Sequence, residues 1–303
     1  ISGKARLLHV LKDPVMEARL DVKDFSLNQA LLGRADILAS WDKELGGVRL
    51  NADIRRDSTC TTGVTGYVSP KLKGLDLHIK AGGTPLAFLQ PFVENIFTNV
   101  RGEAYGDVHL FGPFAELDLE GKVKARMQTK INILNTSFIA STDSVNISSG
   151  LFNFQNVRLQ DLEGHTGLVN GELRHTKLKN LSYRFRFQTD RMLVYDTNRE
   201  TPDFPFYGHI YATGDVLLQG GDGQLNVDGQ VRADNQTEFV YVLGTAAEAT
   251  SSSFVTFVDR TPRRQQAAVK AEVYHPLNRP EQAEEDDTPT AIHLNLQIEP
   301  AER

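Results

Sequence analysis

Gly106–Arg126 reads GDVHLFGPFAELDLEGKVKAR, and 108 residues later Gly214–Asp234 reads GDVLLQGGDGQLNVDGQVRAD. Nine of the 21 positions are identical: Gly106/Gly214, Asp107/Asp215, Val108/Val216, Leu110/Leu218, Gly112/Gly220, Leu117/Leu225, Gly121/Gly229, Val123/Val231 and Ala125/Ala233. Chance would give about one, at residue frequencies of roughly 5–7%. Leu119/Val227, Glu120/Asp228 and Lys124/Arg232 keep their chemistry as well.

The repeated unit spells a β-hairpin. Val108 and Leu110 alternate with His109 and Phe111, Gly112 breaks the run, and a turn follows at Pro113-Phe114-Ala115 or Gly221-Asp222-Gly223. Strict alternation then puts Leu117, Leu119, Val123 and Ala125 on one side of a strand and Asp118, Glu120, Lys122, Lys124 and Arg126 on the other. Gly121 and Gly229 interrupt that strand at the same place, which suggests a bulge or a bend. The unit therefore has one apolar and one charged face.

The same period runs through the rest of the chain. Alternating runs occur at 18–22 and 49–54, a degraded hairpin at 63–83, and further strands at 130–133, 144–147 and 150–162. Another hairpin over 164–188 ends in Tyr183-Arg184-Phe185-Arg186-Phe187-Gln188, aromatic on one face and basic on the other. A last strand, 292–299, alternates throughout. The exception is 84–98. Thr84 at N-cap and Pro85 at N1 predict a short or kinked helix, whose apolar stripe of Leu86, Leu89, Phe92, Val93, Ile96 and Phe97 would cap or plug the sheet. Residues 279–290, acidic and proline-flanked, read as a mobile loop. The single tryptophan, Trp41, is expected to pack.

Composition narrows the function classes. The 303 residues carry a net charge of −6 and no basic patch, which argues against a nucleic-acid partner. No 18-residue apolar run spans a membrane, and the first residues lack a signal peptide's core. The lone Cys60 reads as a small packed filler; it rules out an intramolecular disulfide and a cysteine zinc site. No metal site and no cofactor are predicted. His78, His109 and His293 fall on polar strand phases and read as solvated surface histidines. Asp190, Asp196 and His165 could form a charge relay, but no nucleophile elbow, HExxH, Walker A or dinucleotide fingerprint accompanies them. The reading is of a protein without catalysis.

An apolar sheet face must be covered. With helix nearly absent, two sheets pack, or one long sheet curls onto itself, or an apolar ligand fills the fold. An open sheet of roughly 15 to 20 strands at about 4.8 Å spacing would extend some 70–95 Å.

Several ordered motifs then resemble one family. Phe152-Asn153-Phe154-Gln155-Asn156-Val157, Asp161-Leu162-Glu163-Gly164 and Gly171-Glu172-Leu173-Arg174-His175 are similar to the C-terminal conserved region of TamB proteins of the Bacteroidetes type. So are Tyr195-Asp196-Thr197, Phe206-Tyr207-Gly208 with Ala212-Thr213-Gly214, and Ser253-Phe254-Val255-Thr256-Phe257-Val258. The resemblance covers about 28–300, most specifically 100–260. It implies an all-β, U-shaped groove (a "β-taco") of the AsmA-like, bridge-forming proteins. These are anchored in the inner membrane, cross the periplasm, are linked to outer-membrane protein assembly, and meet an Omp85-family outer-membrane partner. Their groove is thought to carry phospholipid.

The chain is thus expected to be one elongated β-groove segment, 1–303, of a longer periplasmic protein. Its partner contacts would lie in a C-terminal region beyond it. The expected groove lining is Val108, Leu110, Leu117, Leu119, Val123, Ala125, Ile131, Ile133, Tyr183, Phe185, Phe187, Val216, Leu218, Leu225, Val227, Val231, Leu294 and Leu296. The alternative is a β-sandwich or β-helix module that binds or degrades polysaccharide. A β-helix is the poorer match, because its coils repeat near 20–25 residues.

Overall fold

The computed structural model describes residues 2–8, 15–94, 96–132, 134–198, 206–221, 224–241 and 291–299. The alternation read from the sequence becomes β1 (Ser2–Leu8), β2 (Val15–Leu27), β3 (Ala30–Asp42), β4 (Gly47–Arg55), β5 (Thr61–Ser69) and β6 (Gly74–Pro85). After a helical turn come β7 (Phe97–Pro113), β8 (Asp118–Ile131), β9 (Thr136–Ser148), β10 (Leu151–Asp161) and β11 (Thr166–Thr176). The series ends with β12 (Lys179–Thr197), β13 (Phe206–Gly221), β14 (Gln224–Ala233), β15 (Glu238–Tyr241) and β16 (Ala291–Glu299).

All sixteen strands belong to one sheet. From β1 to β14 each strand pairs with the next in sequence, antiparallel throughout. β16 then adds parallel to β14, and β15 pairs with Phe206–His209 of β13 beyond the end of β14. The result is a single open, curled sheet. Among the described residues this excludes both a second packed sheet and the parallel coils of a β-helix.

Contacts between distant strands measure the curl. Strands three apart in a flat sheet lie about 14 Å apart. Here the Asp196 amide at the end of β12 donates to the Leu134 carbonyl just before β9, 3.1 Å away. Lys177, in the β11–β12 turn, reaches Asp118 of β8 at 3.0 Å. Asn28, in the β2–β3 turn, donates to the Phe88 carbonyl at 3.1 Å.

The repeated glycines take part in this curvature, though not as bulges. Val108 faces Gly121 and Val216 faces Gly229 in unbroken register. A Cβ on Gly121 would lie 2.2 Å from the Asp107 carbonyl oxygen, and Gly121 holds φ 152°. The adjacent bulge is in β9 instead, where Val123 faces Val145 but Ala125 faces Thr142.

The helix differs from its prediction. A 3-10 turn at Leu86–Leu89 leads into α1 (Gln90–Val93), and Thr84 ends up in β6, bonding Thr62 through its hydroxyl rather than capping. Phe88, outside the predicted stripe, packs on the cluster of Leu32, Ala35 and Ile54 with Val22, Phe25, Ile37 and Val64. Phe92 is 73% and Ile96 52% exposed. Trp41 is 39% exposed and so packs only in part, whereas Cys60 is buried. The expected loop at 279–290 lies outside the described residues.

Candidate functional groove

Register fixes which side chains share the apolar face. One line runs across fourteen strands through Val22, Ala35, Ile54, Thr62, Ala81, Gly106, Val123 and Val145. It continues through Phe154, Gly171, Phe185, Leu218, Val227 and position 294. A neighbouring line joins Ile79, Val108, Gly121, Ile147, Phe152, Leu173, Tyr183, Gly220 and Leu225. No charged residue stands in either line.

Most of the predicted lining falls on these lines or beside them. Leu110 faces Leu119, Phe187 faces Val216, Gly214 faces Val231, and Gly229 faces Leu296. Ala125 and Ile131 continue the phase of Val123 along β8, and Leu117 precedes that strand. All of these described side chains are half-buried. Ile133 and the side chain of Leu294 lie outside what is described. The sequence list missed Ile79, Val145, Ile147, Phe152, Phe154, Val169 and Leu173. Their alternation was legible, as in Phe152-x-Phe154, but β9 to β11 carry no copy of the repeat to single them out, and Ile79 of β6 stands in the degraded copy.

Glycines make room for the rings. A Cβ on Gly171 would meet Phe185 Cδ1 at 2.4 Å, and one on Gly220 would meet the Tyr183 hydroxyl at 2.8 Å. Phe154 and Phe185 stack obliquely with centroids 5.5 Å apart, and Phe185 continues to Phe187 at 6.4 Å. Burial in this setting pushes the Tyr183 phenol up from its ordinary range. The wall also holds a polar atom. His175 is buried on the same face as Leu173, with its ring 5.1 Å from Phe152. Its Nδ1 accepts the Leu178 amide at 3.1 Å, so Nε2 carries the proton; that atom has no hydrogen-bond partner.

The opposite face is polar but not uniformly exposed. Glu120, Lys122, Lys124 and Arg126 are in solvent, whereas Asp118, expected among them, is buried at 2% exposure. Burial pushes its carboxyl up. The Ser149 hydroxyl, the Lys177 ammonium and the Leu119 amide outweigh that and hold it at about 2. The three relay candidates do not meet. His165 bonds Asp161 at 2.9 Å, Asp196 pairs with His209 at 2.7 Å, and Asp190 lies 3.6 Å from Arg191. His293 and His78 are exposed, but His109 is only half-exposed, with Nε2 2.9 Å from Asp76.

Among the described residues no helix is long and apolar enough to cross a membrane. Residues 155–303 match a family model, TamB, described as the TamB C-terminal domain. No curated protein and no solved structure matches the chain.

Proposed function

From the match of residues 155–303 to the TamB C-terminal domain model, we propose that the chain is a non-catalytic segment of a periplasmic conduit whose groove holds phospholipid acyl chains between the inner and outer membranes. The observation that carries this reading is the uncharged line from Val22 to Val227, buried at Ala35, Ile54, Thr62 and Val145 and half-buried elsewhere. The side chains of that line left half in water, among them Val123, Phe154, Phe185, Leu218 and Val227, are stabilised by any ligand that removes that area, at about 25 cal/mol per Å². Acyl chains suit a continuous trough better than a compact solute does. The His175 Nε2–H, buried and unpartnered beside Phe152, offers a donor to an ester carbonyl oxygen at the trough wall.

The role that follows is in outer-membrane biogenesis, with the longer protein anchored in the inner membrane and engaging an Omp85-family protein. The test is to extract the purified chain and identify co-purified lipid by mass spectrometry. Substoichiometric lipid, unchanged when Phe185 is replaced by Asp, would remove the conduit reading.

A further inference from the structure

On the face opposite the groove, β6 and β7 bring three metal-ligating side chains together. His78 and His109 are directly opposed in the register, and Asp76 lies two positions from His78 on the same strand face. Their imidazoles stack with centroids 4.1 Å apart and planes 6° apart, and Phe111 stacks on His109 at 4.6 Å. Both rings turn the same nitrogen, Nε2, toward one oxygen, Asp76 Oδ1, at 2.9 Å from His109 and 3.6 Å from His78. The three ligand atoms lie within 4.8 Å of one another.

We infer that Asp76, His78 and His109 form a site for one divalent ion of the zinc class, pinning β6 to β7. Two imidazole nitrogens and a carboxylate oxygen are the donor set that zinc and its neighbours take. Two ligands each about 2.1 Å from an ion at the tetrahedral angle stand about 3.4 Å apart. The observed 2.9 and 3.6 Å separations bracket that value. An ion lies in the plane of each imidazole that ligates it, so the two stacked rings must turn toward one another about their side-chain torsions to share it, which the 65% exposure of the His78 side chain leaves room for. Three protein ligands leave a position for water, since the His78 side chain is 65% exposed. Glu120, opposite His109 on β8, adds negative charge nearby, and Lys80 beyond His78 opposes it.

The sequence concealed this arrangement. His109 stands 31 positions beyond His78 of Asp76-x-His78, and each histidine alone looks like surface. Only the β6–β7 register makes them neighbours. β6 and β7 are joined through the helical turn rather than a hairpin, so an ion there would add a side-chain tie to a ladder that no tight turn closes.

The experiment titrates Zn2+ into the tag-free, chelator-treated chain by calorimetry and follows the melting midpoint with and without Zn2+. One ion per chain should bind with a Kd in the micromolar range and raise the midpoint. His78→Ala and His109→Ala should each weaken binding at least tenfold and abolish the thermal shift. His209→Ala, altering a separate histidine–carboxylate pair, should change neither. Asp76→Asn provides an independent variant if His109→Ala perturbs folding, and it too should weaken binding. Equal binding by parent and variants, or several weak sites that survive all four substitutions, would show an adventitious ion only.

Discussion

Lys177 Nζ lies 3.0 Å from Asp118 Oδ2, although β9, β10 and β11 separate the strand that carries Asp118 from the turn that carries Lys177. Ser149, in the turn between β9 and β10, donates to the same carboxylate. This bond closes one rim of the curl.

The pairing sets an acid limit. Asp118 is depressed from 3.8 to about 2. A depressed carboxylate stabilises the fold above its unfolded pKa, and the contribution is lost as pH falls through the folded value. The window is pH 4 to 2, and the contribution is about 2 kcal/mol. Melting temperatures measured across that window should fall steeply for the parent and less steeply for Asp118→Asn, which is less stable near neutrality. Parallel curves would place the acid sensitivity elsewhere.

Leu119→Asp tests whether the apolar face is open. In a filled core an unpaired carboxylate costs several kcal/mol and unfolds the protein. Leu119 is half-buried, so water reaches the substitution. The melting temperature should drop by only a few degrees while co-purified lipid falls several-fold. Glu120→Leu, on the other face, should leave lipid content unchanged. Outright unfolding of Leu119→Asp would mean that this part of the groove is packed shut.

Gly121→Ala should be costly where Gly63→Ala is not. The added methyl would lie 2.2 Å from the Asp107 carbonyl oxygen at Gly121, but 4.0 Å from its nearest neighbour, Lys80 Cβ, at Gly63. The first should lose about 2–4 kcal/mol, the second under about 1 kcal/mol. Denaturant unfolding of the two variants gives the comparison, and equal losses would contradict the close approach of β7 and β8.

Asp161→Ala should destabilise by about 2–4 kcal/mol. This buried carboxylate accepts the Leu193, Glu163 and His165 amides and the His165 ring, so its removal strands three backbone amides and the ring nitrogen at once. Thermal melting measures the loss, and hydrogen exchange should quicken at Leu193 and at His165. Unchanged exchange at both would show that the carboxylate does not hold the turn to β12.

Most strands were legible because period-2 alternation is a local property. Val108-x-Leu110 and Tyr183-x-Phe185-x-Phe187 declare their face from spacing alone. Strand ends were less legible. Residues 130–133 read as a separate strand, but Ile131 is the end of β8, and β12 runs to Thr197 through irregular pairing after Thr189. Residues near bulges change phase, and local alternation does not register that.

The sequence by itself determined the β class, the hairpin repeat, the apolar phase of each strand and the resemblance to a known family. All of these follow from which residues stand one, two or 108 places apart. Only the tertiary structure decided how the strands meet. Inter-strand register links residues remote in the chain, and it is fixed jointly by turns, bulges and glycine contacts rather than by any one segment. That register turns separate apolar faces into one line from Val22 to Val227, buries Asp118 under Lys177, and sets His78 against His109.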